Sequence, residues 1–222
     1  MSFNIEVEGG SSVRLPTAGK YCDRDIVITA TGGSNDLAKQ LIARTITTIN
    51  DDSIETVGAY GLAYCQSLIE AILPNCTYIG DFAFVNAKTL VSVDIPKMKD
   101  IRPNVFEACS SLKNINIPEV TLLWSNSIKN CPALEKLDLP KVKTISSQVF
   151  VNDSLLATVI LRSNTVASLG NVSSFAGTPI ANGTGFIYVP AALIDSYKTA
   201  TNWSVFANQF RTIEDYPEIT GG

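Results

Sequence analysis

The sequence predicts a β-rich repeat solenoid of about five 22-residue turns, with a small N-terminal β unit and helical caps. Three observations carry that prediction. Proline recurs as Pro74, Pro96, Pro118 and Pro140, a constant step of 22 residues. Apolar columns keep the same frame: Leu68, Leu90, Leu112, Leu134 and Leu156; Ile79, Ile101, Leu123 and Ile145; Phe84, Phe106, Ile128 and Phe150; Cys65, Ala87, Cys109 and Cys131. Within each unit the residues before the proline read Leu-x-x-Φ-x-Φ-Pro, with Φ apolar, so the two Φ side chains lie on one face of a short strand.

Residues 1–33 stand outside the repeat. Phe3, Ile5 and Val7 alternate with polar residues, Gly9-Gly10 interrupts, Val13 and Leu15 follow, and a turn at Pro16–Gly19 precedes Ile26-Val27-Ile28. This pattern predicts short strands in an anchor or oligomerisation element. Residues 34–56 are expected to be a helical cap, with Ser34 or Asp36 at its start and Leu37, Leu41 and Ile42 on one face. The array is expected over 57–161, from LIEAILP at 68–74 to LLATVILR at 155–162, where Arg162 takes the proline slot. A proline after each strand removes a ladder donor and keeps the strand short. One unit cannot bury enough apolar surface to fold alone, so neighbours must stack. Residues 162–222 are expected to be an irregular turn and a cap: one more strand in FIYVP at 186–190, a short helix after Pro190, and Trp203, Phe206 and Phe210 packed on the last turn.

Composition narrows the chemistry. The chain of 222 residues is 45% hydrophobic and 17% charged, with a net charge of −4, which suits a packed domain. There is no basic run for nucleic acid and no 18-residue apolar run for membrane insertion. The start, MSFNIEVEGG, has neither a basic segment nor an apolar core of the secretory kind, so no export signal is expected. No histidine is present, which removes Ser-His and Cys-His nucleophile activation and the commonest metal ligand. No nucleotide or zinc spacing is found, and Asp23-Arg24-Asp25 and Asp51-Asp52 read as turn residues; no cofactor, metal or catalytic residue is expected. The five cysteines include a repeat column. A Cys109–Cys131 disulfide is sterically conceivable between stacked turns, but Ala87 in the same slot favours a small buried apolar group. Asp94 and Asp138 raise the possibility of a glycosidase pair, but two turns place them about 10 Å apart, just past the range of an inverting pair, and solvated surface carboxylates are the preferred reading.

The candidate site with a physical reason is the outward face of the strands. Its first column is Glu70, Ser92, Asn114, Lys136 and Thr158; its second is Ile72, Asp94, Asn116, Asp138 and Ile160. These side chains do not hold the core and are free to differ from turn to turn. Amides, acids and a lysine suit hydrogen bonding to glycans or polar protein loops.

The units L-x-x-I-x-I-P…I-x-x-x-x-F-x-x-C, clearest at Leu112–Pro118 and Ile101–Cys109, resemble the Treponema/BspA-type leucine-rich repeats over roughly half the chain. The pattern departs at Ile128 for phenylalanine, at Ala87 and Asp153 for cysteine, and at Arg162 for proline. The segment at 13–33 resembles an N-terminal element of phage and prophage structural proteins of Gram-positive bacteria, and that at 175–203 the C-terminal end of BspA-like proteins encoded beside it. The resemblance implies a non-enzymatic binding or adhesion module. It points to a virion accessory protein that displays the repeats to a host-surface glycan or protein and reaches other virion proteins, or a second copy, through residues 1–33. A bacterial cell-surface adhesin is the alternative, and a glycan hydrolase a more distant one.

Overall fold

The computed structural model describes the backbone at residues 3–7 and 11–15, and residues 47–220. Strands β1 (Phe3–Val7) and β2 (Ser11–Leu15) pair antiparallel. The helix expected from Asp36 and the segment Ile26–Ile28 lie outside the described residues.

From Thr48 onward the chain is a coil of short parallel strands in two rows. The first row holds β3 (Thr48–Asn50), β5 (Glu70–Ile72), β7 (Ser92–Asp94), β9 (Asn114–Asn116), β11 (Lys136–Leu139), β13 (Thr158–Leu161), β15 (Phe186–Val189) and β16 (Phe210–Thr212). The second row holds β4 (Thr56–Val57), β6 (Tyr78–Ile79), β8 (Asp100–Ile101), β10 (Leu122–Leu123), β12 (Thr144–Ile145) and β14 (Ser168–Leu169). Register follows the 22-residue step, with Glu70 opposite Ser92 and Ser92 opposite Asn114. The strand frame is already present at Thr48, opposite Glu70, within the stretch expected to be a cap. Ile49 and Val57 already occupy core positions there, and both are buried. Past 161 the stack also continues: β15 pairs with β13 after a longer excursion, and β16 pairs with β15.

The columns line one continuous core. Leu68, Leu90, Leu112, Leu134 and Leu156 are all fully buried, as are Ile79, Ile101, Leu123 and Ile145. Phe84 and Phe106 stack with centroids 5.3 Å apart. The cysteine column is reduced: Cys109 Sγ donates to the Phe84 carbonyl at 3.1 Å and Cys131 Sγ to that of Phe106 at 3.0 Å. Burial pushes the Cys109 thiol up to about 12. Between the two rows, each unit passes through two left-handed residues, and these too recur every 22 residues. Phe82, Asn104, Asn126 and Gln148 form one set and Asn86, Ala108, Asn130 and Asn152 the other, with φ between 57° and 62°. Asparagine tolerates that conformation best among residues with a side chain, which accounts for its share of both sets.

The far end is closed by aromatic packing. Phe175 meets Trp203 and Phe206 at 5.9 and 5.3 Å. The Trp203 indole donates to the Ala167 carbonyl at 2.6 Å, and the Ala167 amide donates to the Tyr197 hydroxyl at 2.9 Å. Tyr197 lies on the short helix Ile194–Thr199. No helix among the described residues is long and apolar enough to cross a membrane.

Candidate functional site: the outer strand face and its cleft

The first-row strands turn alternate residues outward. On the N-terminal half, Glu70, Ile72, Ser92 and Asp94 are half-buried and Asn114 and Asn116 exposed, while Ala71 and Val93 between them are buried. Neighbouring turns are tied across this face. Ser92 Oγ donates to Glu70 Oε1 at 3.1 Å, and Asn116 Nδ2 donates to Asp94 Oδ1 at 2.7 Å.

One joint in this row is open. The first row consists of two four-stranded sheets, β3-β5-β7-β9 and β11-β13-β15-β16, and no ladder joins β9 to β11. The backbone bonds locate the gap. Leu73 N donates to the Asp94 carbonyl and Ile95 N to that of Asn116, but the next step, from Ile117 N to Asp138, is not made. Likewise Asn114 N reaches the Val91 carbonyl and Thr158 N that of Glu135, but Lys136 N does not reach Lys113. The second row stays joined at this level, with Leu122 opposite Thr144. The turns therefore hinge open on the outer side alone. Ile115 is only partly buried where Val93 and Leu137 in the same column are buried.

The opening forms a cleft of about 460 Å³ lined by Lys113, Asn114, Ile115, Asn116, Ala133, Glu135, Lys136 and Asp138. Four of the ten predicted site residues, Asn114, Asn116, Lys136 and Asp138, converge there. Two lysines oppose two carboxylates, so the walls are polar but nearly neutral. Asp138 is fixed by Arg162, whose Nε and Nη2 reach its carboxylate at 2.8–3.0 Å. Arg162, in the proline slot, thus does what proline could not. Asp94 does not line the cleft, so the carboxylate pair considered from the sequence is not brought together in it.

The C-terminal half of the face departs from expectation. Ile160, expected to point to solvent, is fully buried. It sits opposite Tyr188 across the ladder, and Tyr188 packs edge-on against Tyr216 at 5.6 Å. The Lys136 ammonium donates to the carbonyl of Ile219, in the helical turn Pro217–Thr220. The chain after β16 therefore folds back over the outer face, covering Ile160 and Tyr188 outside the main core. Thr158 is half-buried beside them. The sequence reading missed this cover because DYPEIT carries no column of the repeat.

The comparisons with known proteins agree with this architecture. The model of the BspA type leucine rich repeat region matches residues 43–157 and 77–184, in six copies. The chain belongs to this family. Among solved structures, a leucine-rich repeat protein from Bacteroides ovatus is similar with a TM-score of 0.59 and 18% identity, over 76% of this chain and 43% of that one. The pneumococcal vaccine antigen PcpA is similar with a TM-score of 0.60 and 18% identity, over 75% and 40%. A leucine-rich cell surface protein from Faecalibacterium prausnitzii has a TM-score of 0.52 and 20% identity, over 55% and 34%. At these identities the likeness establishes the fold. The chain spans less than half the length of each of these solved proteins. No curated protein matches it.

Proposed function

We propose that this BspA-type chain is a non-enzymatic adhesion module of a bacterial cell surface, and that it holds a host glycan or polar protein loop on the open half of its outer strand face. The observation that carries this reading is the cleft between β9 and β11. It interrupts an otherwise regular first row, it opens on the face whose side chains do not build the core, and it gathers amides, lysines and carboxylates beside the apolar side chains of Ile115 and Ala133. Such a mixture, with a few convergent polar groups over an apolar patch, is what a recognition pocket needs. The cell-surface setting is supported by the F. prausnitzii cell surface protein among the structural relatives. The virion setting expected from residues 13–33 draws no support from these relatives and is not carried further.

Arrays of host glycans and of extracellular-matrix proteins, probed with the whole chain, test the proposal. A ligand is expected to bind, and the variant Asn114→Ala/Asn116→Ala to bind it at least about tenfold more weakly, as truncation at the centre of a recognition site does. Both residues are exposed, so the thermal midpoint should hold. No ligand on either array, or unchanged binding by the variant, contradicts the proposal.

A further inference from the structure

The second row carries a separate cluster of solvent-facing aromatic and charged side chains. Tyr78 on β6 and Trp124, next to β10, are 45% and 41% exposed. Tyr60 is 43% exposed and lies flat on Phe82 of the next turn, 4.9 Å apart with the rings 2° from parallel. Between Tyr78 and Trp124 lie Asp100 and Arg102, one turn from each. The Trp124 indole N–H donates to Asp100 Oδ2 at 3.2 Å. The Arg102 guanidinium lies over the Tyr78 ring at 5.6 Å, and its Nε donates to Asp81 Oδ1 at 2.6 Å. The second-row ladder is interrupted within this cluster, because β4-β6 and β8-β10-β12-β14 are separate sheets.

We infer that this cluster is a second binding site, for a neutral oligosaccharide of β-linked hexopyranoses. The rings supply the apolar part of that recognition. A β-linked glucose-type ring carries its hydroxyls at the rim and its axial C–H bonds on the faces, and those weakly positive C–H groups pack on the negative face of an aromatic ring. Tyr78 and Trp124 stand two turns apart, about 10 Å along the axis, so one short glycan reaches both. The polar groups between them supply the rest. After the contacts named above, the Arg102 Nη atoms, the second oxygen of Asp100 and the second oxygen of Asp81 have no hydrogen-bond partner among the described residues. They offer charge-assisted donors and acceptors side by side, which adjacent sugar hydroxyls, each both donor and acceptor, complement. One guanidinium between two carboxylates leaves no positive excess, so an anionic ligand is disfavoured. The side chains are already held by one another, so little ordering remains to be done on binding.

The chain has two tryptophans, and Trp203 is fully buried in the cap, so a change in emission on adding sugar reports Trp124. The probes are the β-1,4-linked hexasaccharides of glucose and of N-acetylglucosamine, added to the whole chain. At least one is expected to give a saturable emission change. By calorimetry, Tyr78→Ala/Trp124→Ala should weaken its binding at least about tenfold, and Asp100→Asn should weaken it by a smaller factor. Asn114→Ala/Asn116→Ala should leave it unchanged, which separates this site from the cleft. The inference is overturned if neither hexasaccharide moves the emission, if the double aromatic variant binds as the parent does, or if binding is lost through the cleft variant instead.

Discussion

Phe106→Ala is expected to remove about 3–5 kcal/mol of stability, a large part of what a domain of this size has. Phe106 is fully buried in the middle of the stack. Its ring packs on Phe84 of the preceding turn, its amide donates to the Ser127 carbonyl of the following turn at 2.9 Å, and its own carbonyl accepts the Cys131 thiol. Truncation empties the interior where two inter-turn surfaces meet, and in a linear array those surfaces are what hold each unit in place. A control truncation at Val205, which is 62% exposed, should stay within about 0.5 kcal/mol. Urea unfolding at pH 7 measures both. A loss below about 1 kcal/mol for Phe106→Ala would mean that the ring is not a shared core element.

Asp153→Asn is expected to do the opposite. Asp153 occupies the cysteine column, fully buried. One carboxyl oxygen accepts the Cys131 amide at 2.7 Å; the other has no partner. Burial holds the Asp153 carboxyl well above the usual carboxylate range. In the unfolded chain the same group ionises near pH 3.9. Between that pH and the raised value the folded state binds more protons than the unfolded state, so this group's contribution to stability falls as pH rises through that window. Asparagine keeps the acceptor for Cys131 and carries no charge at any pH. The variant should therefore be more stable than the parent at neutral pH by on the order of 1 kcal/mol or more, because only the parent must hold a proton on this buried group that its unfolded chain has released; the side-chain amide N–H group it brings is as unpartnered as the oxygen it replaces. The gain should shrink toward zero near pH 4. Urea titrations at several pH values check this, and a difference that does not vary with pH would contradict it.

The repeat was readable because its columns are chemically strict. Leucine, proline and phenylalanine at fixed offsets leave one way to stack, and the strands, register and inward faces followed from them. The first turn was harder to see. Ile49 and Val57 keep the frame, but Asp52 stands where later turns have proline, and without that marker the stretch read as a cap. Ile160 was misplaced for another reason. The alternation that sends it outward holds, but a segment with no repeat signature returns from the end of the chain to cover it, and only tertiary packing reveals that. The open joint is nearly silent in sequence as well, since LKNINIP and LEKLDLP match the unit pattern equally well. Asn114 and Asn116, residue types that strands disfavour, are the one local sign. The aromatic cluster of the second row went unnoticed because Tyr78 and Trp124 fall at different offsets in their units, and only the coil brings them to either side of Asp100 and Arg102.

Amide hydrogen exchange across the first row tests the central claim most directly: a ladder of constant pitch with a single open joint on its outer side. Protection should recur every 22 residues at Leu73 and Ile95, whose amides are bonded to the next turn, and should be present at Ser92, Asn114 and Thr158, whose amides are bonded to the preceding one. It should be lost at Ile117 and Lys136, where those bonds are missing. Protection at Ile117 and Lys136 equal to that of their counterparts would mean that the cleft is closed in solution, and protection without the 22-residue recurrence would contradict the stacked array itself.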